Sequence, residues 1–182
     1  MGMFTLRDFF QMKATLYNLK LKYEKSHQYL NEGLVNIFNN SDFILGEKVK
    51  ALEDKLSKYS KSSYLSAVGN GTDALIFSLS YLKEKFPQKK NVITTPLSYL
   101  ASTSSICLSG LKPVFCDIDN SLNLDPKKLE KLIDKNTLAV LFVHYSGNPT
   151  NIQTIKKICL DRNIPLIEDC AQSFGATSNK KF

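Results

Sequence analysis

Histidine is scarce in this chain, and the spacing of its histidines and cysteines argues against the metal sites that these residues most often form. None of the four cysteines belongs to a C-x-x-C pair, and the two histidines are not spaced as zinc ligands. Each cysteine lies in or beside an apolar stretch, which predicts free, buried thiols in a reducing compartment. These residues are Cys107, Cys116, Cys159 and Cys170.

Long apolar runs are also absent, which limits where we expect the chain to act. No stretch of about 18 apolar residues exists, so we predict no membrane span. The N-terminus has no compact apolar segment behind a basic one, so we predict no secretory signal and a cytoplasmic location. The net charge of +7 comes from scattered lysines without interleaved aromatic residues, and we therefore predict no nucleic-acid surface.

Short apolar runs alternate with helix-length segments over most of the chain, which predicts an α/β fold. One helical pattern covers residues 6–39 and a second covers residues 47–60, with "SDFILG" as the break between them. The candidate strands that follow are Tyr64–Val68, Asn91–Thr94, Lys112–Cys116, Ala139–Val143 and Ile164–Ile167. This alternation indicates a mostly parallel sheet flanked by helices and preceded by a helical segment. We divide the chain into a helical segment, residues 1–60, and a sheet-containing domain, residues 61–182.

Ligands of such sheets bind outside the carboxyl ends of the strands, so the residues after each predicted strand are candidates for a site. The motif "AVGNGTDAL" follows the first strand. It predicts a tight turn at Gly69 and Gly71, Thr72 as a helix cap and Asp73 at the helix start. Such a turn presents free backbone N–H groups to a phosphate. A dinucleotide site would need an acidic residue after the next strand, and a P-loop would need a lysine after the glycines; both are missing. A turn without any ligand stays open as the alternative.

Aromatic, acidic and basic residues follow the middle strands. Tyr99 follows the second strand, where it either covers a planar ring or belongs to the core or its rim. Asp117 and Asp119 are typical of turns, and Asp125 before a proline is typical of a helix N-terminus. His144 follows the fourth strand, where a structural and a functional role are equally open.

The last predicted strand leads directly into two acidic residues, Glu168 and Asp169. A carboxylate at the edge of a core needs a cation or hydrogen-bond donors beside it. A phosphate-binding turn, an aromatic residue and a carboxylate at one edge of a sheet together suit a phosphorylated heteroaromatic cation, and pyridoxal phosphate is such a molecule. Asp169 would then stay ionised because it pairs with the protonated pyridine nitrogen.

The motifs of this chain resemble those of the DegT/DnrJ/StrS family of nucleotide-sugar aminotransferases, which use pyridoxal phosphate on the fold-type-I scaffold. The resemblance covers about residues 17–181. In order, the motifs are "FILG", "GNGTDAL", "TPLSYLAS", "LKPVFCDID", "VHYSGNPTNI" and "IPLIEDCAQSFGA". The resemblance implies that the Gly71–Asp73 turn binds the phosphate and that Tyr99 stacks on the ring. It also implies that Asp169 pairs with the ring nitrogen and that Gln172 lies near the ring hydroxyl. Glu168 has no matching role in the family, and we interpret it as a supporting acid.

The chain departs from the family pattern in its length and its lysines. Family members are much longer, and the resemblance implies that their Schiff-base lysine lies in a later block of the S-x-x-K type followed by a Gly-rich turn, which this sequence does not reach. Lys180 and Lys181 come too soon after Asp169 and lie in what resembles a polar loop, so we assign no catalytic residue. The family's sheet order places two absent strands between the first strand and the others. We therefore expect the Tyr64–Val68 strand to lack neighbours.

The resemblance implies an N-terminal part of an aminotransferase, with an incomplete cofactor-binding domain from residue 61 onward. The complete enzyme would be a homodimer that transfers an amino group, with glutamate as donor, to a keto group of a nucleotide-linked sugar. Such reactions serve amino-sugar and polysaccharide biosynthesis. Two alternatives stay open: a non-catalytic remnant of a truncated or split gene, and a sugar dehydratase of the same superfamily with histidine in place of the lysine. Neither the sugar nor the reacting carbon can be read from these motifs.

Overall fold

The computed structural model of the protein describes residues 18–178, which fall into two units. One unit extends up to Leu52, and the other begins at Glu53. The first part of the predicted helix over residues 6–39 lies outside the described residues, as do Lys180 and Lys181.

The described residues of the first unit, 18–52, are mostly helical. Helix α1 covers Leu19–Asn40, and helix α2 covers Glu47–Ser60 and continues into the second unit. Ser41 ends α1 in the left-handed conformation, with φ of 54°. The Asp42 carboxylate then accepts a hydrogen bond of 3.0 Å from the backbone N–H of Glu47 at the start of α2. These two residues account for the predicted break at "SDFILG".

The unit that begins at Glu53 is built around four parallel strands in the order β2-β1-β3-β4. The strands are β1 (Asn91–Thr94), β2 (Lys112–Phe115), β3 (Thr137–Val143) and β4 (Leu166–Asp169). The helices between and before them are α3 (Gly71–Lys85), α4 (Leu100–Leu108), α5 (Pro126–Leu132) and α6 (Ile152–Asp161). This arrangement confirms the predicted parallel sheet flanked by helices.

Apolar side chains pack on both faces of the sheet. On one face, Leu79 of α3 and Ile106 of α4 pack with Leu141 of β3. On the other face, Ile155 of α6 packs with Phe142 of β3. Because successive side chains of a strand point to opposite faces, these clusters determine which face each residue at the strand ends occupies. We call them the α3/α4 face and the α6 face.

The prediction of a first strand at Tyr64–Val68 is wrong. This segment forms no strand, and the Tyr64 side chain is 93% exposed. Its backbone is tied instead to α2, because the Ala67 N–H donates a hydrogen bond of 2.7 Å to the Glu53 carboxylate. The physical reason is the one that the family resemblance implies: a single apolar run cannot form a strand without a neighbour to receive its backbone hydrogen bonds.

The last strand begins two residues later than the sequence predicts. Ile164 still donates its N–H to the Cys159 carbonyl at the end of α6, and Pro165 has no N–H to give. Strand β4 therefore runs over Leu166–Asp169 and includes both acidic residues. Glu168 and Asp169 consequently point to opposite faces of the sheet.

The expectation that all four cysteines are buried is correct for two of them. Cys116 and Cys159 are buried, whereas Cys107 and Cys170 are exposed. Cys107 follows the buried Ile106 on the outward side of α4, and Cys170 lies where the chain leaves β4. A short apolar run in the sequence does not distinguish the two sides of an amphipathic helix at single-residue precision.

The acidic residues after β2 have the structural roles that the sequence predicts. Asp125 caps α5 by accepting hydrogen bonds from the backbone N–H groups of Lys127 and Lys128. Asp119 accepts hydrogen bonds from the Ser121 N–H at 2.8 Å and the Asn151 side chain at 2.7 Å. These contacts tie the segment after β2 to the start of α6.

Asn123 holds the loop that follows β3. Its side chain is fully buried, and its amide nitrogen donates to the carbonyl oxygens of Asn148 at 3.0 Å and Thr150 at 3.2 Å. Its amide oxygen accepts a hydrogen bond of 3.3 Å from the Tyr145 N–H. One side chain therefore satisfies three backbone groups of a loop that borders the carboxyl ends of β3 and β4.

We predict that Asn123→Ala destabilises the fold by about 2–4 kcal/mol, because it leaves three backbone groups without partners. The measurement is urea unfolding followed by circular dichroism. The control is Asn120→Ala, at an exposed position of the same segment. Equal unfolding midpoints for the two variants would contradict this role of Asn123.

Candidate active site

The Asp169 carboxylate lies at the carboxyl end of β4, on the α3/α4 face of the sheet. It is half-buried, and its Oδ1 atom accepts a hydrogen bond of 3.0 Å from the Ala171 N–H. Its Oδ2 atom is 3.5 Å from the Ser102 hydroxyl of α4, at the outer limit of a hydrogen bond. Ser102 is buried and contacts the Ser98 hydroxyl at 2.7 Å. Oδ1 is therefore firmly held, and Oδ2 keeps most of its capacity to accept hydrogen bonds.

Tyr99 belongs to the same group because it directly precedes α4, the helix that carries Ser102. Its carbonyl accepts a hydrogen bond of 3.1 Å from the Ser102 N–H. Its side chain is 77% exposed, and no aromatic ring among residues 18–178 packs against it. Tyr99 therefore does not belong to the hydrophobic core, which was one of the alternatives that the sequence left open. The face of its ring is available to a ligand.

The predicted phosphate turn lies at the N-terminus of α3, with one correction to its details. Asn70, not Thr72, caps the helix, since its side-chain oxygen accepts a hydrogen bond of 2.9 Å from the Asp73 N–H. Its amide nitrogen donates to the Asp73 carboxylate, also at 2.9 Å. A side chain at Gly71 would meet no atom within 4 Å, so the space in front of the turn is open.

The backbone geometry of this turn leaves donors free. Among residues 18–178, the N–H groups of Gly71 and Thr72 have no hydrogen-bond acceptor, as is usual for the first turn of a helix. Within the same residues, no hydrogen bond joins this turn to Asp169, Ser102 or Tyr99. Hydrogen bonds thus link the Tyr99 backbone to Ser102 and Ser102 to the Asp169 carboxylate, and the turn lies outside this network.

Gln172 connects the two loops at the carboxyl ends of β3 and β4. Its side-chain oxygen accepts a hydrogen bond of 2.8 Å from the Ser146 N–H. Ser146 lies in the loop after β3 and adopts a left-handed conformation with φ of 53°. The role of Gln172 near a ring hydroxyl stays a prediction.

A second polar cluster lies on the α6 face, where the sequence left the role of His144 open. The His144 ring is 4% exposed, and its Nε2 atom is 2.9 Å from the Glu168 carboxylate. Burial opposes protonation of this imidazole, but the neighbouring Cys170 thiol and Glu168 carboxylate outweigh it and raise the pKa of His144 to about 9. Glu168 is thus the partner of a buried imidazole, a role consistent with the supporting acid that we expected. The alternation of side chains along β4 is the signal that separates it from Asp169.

The arrangement around Asp169 fits a pyridine cofactor. A ring nitrogen that carries a proton needs a carboxylate with a free acceptor position, and Asp169 Oδ2 has one. A flat ring needs an exposed aromatic face, which Tyr99 provides, and a phosphate needs unpaired N–H groups at a helix N-terminus, which α3 provides. Among residues 18–178, no group of three or more histidine, cysteine or acidic side chains could hold a metal ion.

Comparison with known proteins identifies the family. The model of the DegT/DnrJ/EryC1/StrS aminotransferase family matches residues 25–182. The chain belongs to this family. This confirms the resemblance seen in the sequence motifs, and members of the family depend on pyridoxal phosphate.

Individual relatives agree with this assignment. The UDP-2-acetamido-2-deoxy-3-oxo-D-glucuronate aminotransferase of Pseudomonas aeruginosa is 34% identical over 90% of this chain and 45% of its own length. Among solved structures, DesV of S. venezuelae, in complex with a ketimine intermediate, superimposes with a TM-score of 0.80. It is 25% identical, over 87% of this chain and 42% of its own. A GDP-4-keto-6-deoxymannose-3-dehydratase superimposes with a TM-score of 0.77 and is 29% identical, over 93% of this chain and 43% of its own.

The chain spans less than half the length of these relatives, as the 45%, 42% and 43% coverage shows. The relatives are nucleotide-sugar aminotransferases and, in one case, a dehydratase of the same superfamily, which are the two enzyme classes that the sequence left open. Within residues 18–178, none of the helices is both long and apolar enough to cross a membrane.

We predict that the His144–Glu168 pair makes stability depend on pH. The pKa of His144 is about 9 in the folded chain, above the ordinary 6.5. The stabilisation is therefore fully present below pH 6.5 and is lost as the pH rises through 9. Urea unfolding at pH 6 and pH 9.5 should show a loss of about 1–2 kcal/mol, a figure reduced for the partial exposure of Glu168.

Glu168→Gln removes the carboxylate that favours the protonated imidazole, so this variant should lose less stability than the unsubstituted chain over that pH range. His27→Gln, at an exposed position, serves as the control and should follow the unsubstituted chain. An identical pH dependence for Glu168→Gln and the unsubstituted chain would contradict the assignment.

Proposed function

We propose that Asp169, Tyr99 and the Gly71–Asp73 turn form part of the pyridoxal phosphate site of a nucleotide-sugar aminotransferase. The observation that carries this proposal is the Asp169 carboxylate, which is half-buried at the end of a strand while its Oδ2 atom has only the Ser102 hydroxyl, at 3.5 Å, within residues 18–178. A partly desolvated carboxylate with so distant a partner suits a cationic ligand. Membership of the aminotransferase family supports the same ligand.

When bound, pyridoxal phosphate supplies an electron-withdrawing pyridinium ring that stabilises negative charge next to the reacting carbon. The residues of this chain would hold and polarise that ring. Asp169 would keep the ring nitrogen protonated, while the Ala171 N–H fixes the direction of its carboxylate. Tyr99 would cover the ring and exclude water from one side. The N–H groups at the start of α3 would bind the phosphate.

The substrate class follows from the relatives. The P. aeruginosa relative is named for a nucleotide-linked sugar with an oxo group, and we propose that an enzyme containing this chain acts on a keto group of such a sugar, with glutamate as amino donor. The dehydratase relative supports the second candidate, a sugar dehydratase. The residue at the Schiff-base position, lysine or histidine, decides between them.

We propose that the Schiff-base residue comes from sequence that the relatives contain beyond the matched part, since the chain corresponds to 45% of the P. aeruginosa enzyme. The alternative of a non-catalytic remnant makes the same prediction for the isolated chain. It differs in that no added partner would restore activity.

We also propose that the complete enzyme is a homodimer that functions in the cytoplasm. Large apolar side chains on α1 support an interface: Leu30, Leu34 and Phe38 are each about half exposed or more. A single helix that displays such a row is usually covered by a partner.

We predict that Asp169→Asn in an active enzyme that contains this chain lowers kcat/KM by about 100- to 1,000-fold, because a neutral amide cannot keep the ring nitrogen protonated. The measurement is amino transfer to a nucleotide-linked keto-sugar, with circular dichroism to show that the fold is retained. Asp161→Asn, at the exposed end of α6, is the control. Turnover of Asp169→Asn close to that of the control would refute the role of Asp169.

The isolated chain should form no stoichiometric covalent link to the cofactor at a single lysine. The experiment adds pyridoxal phosphate to the purified chain, reduces with borohydride and maps labelled lysines by peptide mass spectrometry. Scattered, partial labelling is the expected result. One fully labelled lysine, together with amino transfer by the chain alone, would overturn the proposal. Activity that appears only after addition of a separately expressed C-terminal half would favour a split enzyme over a remnant.

A further inference from the structure

A cleft on the α6 face of the sheet is separate from the Asp169 cluster. It lies at the carboxyl ends of β3 and β4, between α6 and the segment after β4, and has a cavity volume of about 60 Å³. His144 and Glu168 form its floor, and the contact of the His144 ring with Phe142, at 4.8 Å between centroids, places both rings on this face. Asp169 points to the opposite face.

Two residues that line this cleft carry buried polar atoms without a hydrogen bond of good geometry. His144 is 4% exposed and Ser173 is 7% exposed, and neither His144 Nδ1 nor Ser173 Oγ makes such a bond among residues 18–178. The Cys170 thiol, which also lines the cleft, interacts with the His144 ring and raises the pKa of that ring without supplying such a bond. Buried polar atoms of native proteins are nearly always paired, and each unpaired one carries a desolvation cost. Two such atoms on one cleft indicate that its contents provide the missing partners.

The polar groups that line the cleft are mainly hydrogen-bond donors, which favours a ligand that accepts hydrogen bonds. Glu168 occupies Nε2 of the His144 ring, so in the imidazolium form Nδ1 carries an N–H that points away from that carboxylate. The Ser173 hydroxyl can donate as well. The Lys156 ammonium lines the cleft and has no acidic partner within residues 18–178. Glu168 is the one acidic residue lining the cleft, and its charge is balanced by the imidazolium, which leaves Lys156 as the uncompensated charge.

We propose that this cleft binds a small oxyanion, of the phosphate or carboxylate type, through His144 Nδ1, Ser173 Oγ and the Lys156 ammonium. An oxyanion offers several acceptor oxygens at once and matches the uncompensated positive charge. A single water molecule could satisfy one buried donor, whereas one oxyanion can accept from both buried donors and also pair with the exposed Lys156 ammonium. The bound anion would join α6 to the segment after β4 that carries Gln172. The proposal does not rest on the cofactor site, because it uses other residues on the other face of the sheet.

The experiment is an NMR titration of the ¹⁵N-labelled chain with inorganic phosphate at pH 7 and constant ionic strength. The chain has two histidines, so the His144 imidazole signals can be followed beside those of His27. Saturable shifts of the His144 ring and of the Ser173 amide are the expected result. Saturable shifts of the Gly71 and Thr72 amides without movement of His144 would place phosphate at the α3 turn and overturn the proposal.

Variants test the assignment of the donors. Lys156→Gln and Ser173→Ala should each weaken phosphate binding by about 3- to 10-fold. Lys157→Gln is the matched control, since it removes the same charge from the neighbouring exposed position of α6 that does not line the cleft. Equal affinities for Lys156→Gln and Lys157→Gln would show nonspecific attraction and refute the site. Lys156 is exposed, so this comparison stands even if Ser173→Ala fails to fold.

The class of oxyanion is resolved by parallel titrations with acetate and with a nucleoside diphosphate. Shifts at His144 with acetate and phosphate, but not with the diphosphate, would indicate a site for a small free anion. Tighter binding of the diphosphate at the same residues would indicate the phosphate group of a larger ligand. An absence of saturable shifts at His144 with all three compounds would mean that water alone occupies the cleft, and would refute the proposal.

Discussion

The hydrogen bond from the His144 N–H to the Asp169 carbonyl, at 3.1 Å, fixes the end of β4 against the end of β3. It continues the parallel register in which Val143 lies opposite Asp169. A shift of one residue in this register would send every side chain of β4 to the other face. Both polar clusters of the molecule depend on this register, because it directs Glu168 to the α6 face and Asp169 to the α3/α4 face.

Two adjacent carboxylates therefore have different electrostatic surroundings. Glu168 contacts a buried imidazole at 2.9 Å. Burial opposes protonation of that ring, but Cys170 and then Glu168 outweigh it and raise its pKa. Asp169 has a backbone N–H at 3.0 Å and a hydroxyl at 3.5 Å, and no cationic side chain within residues 18–178 contacts it. One of the two acids that end β4, Glu168, therefore already has a partner inside the protein. The other, Asp169, is left to pair with a ligand. This explains why apolar β4 residues can lead directly into two acids at the edge of a core.

The family was predicted from the resemblance of the sequence motifs. The α/β class, β1 with its observed bounds and the helix over residues 47–60 were predicted because apolar periodicity and local caps determine these features. Periodicity alone could not reveal that Tyr64–Val68 forms no strand, because strand formation depends on neighbours that are distant in the chain. It placed β4 two residues early because the hydrogen bond of Ile164 to Cys159 is a contact with the preceding helix that no apolar pattern records. The His144–Glu168 pair was missed as a pair for the same reason: its members are 24 residues apart and meet only through the register of β3 and β4.

The separation of the Gly71–Asp73 turn from Asp169 has a thermodynamic consequence for cofactor binding. The turn follows a segment that pairs with no strand, whereas Asp169 lies on a strand paired to the fully buried β3. Leu79 packs α3, and with it the turn, against the sheet, so only the residues before Gly71 lack support from a strand. A ligand that requires those residues in one conformation would lose affinity by the conformational entropy that they give up. Any structure that orders Tyr64–Val68 beforehand, such as neighbouring strands, removes that cost without touching the ligand. The affinity of the cofactor would then be set by how well this distant segment is held as well as by the residues in contact with the ring and the phosphate.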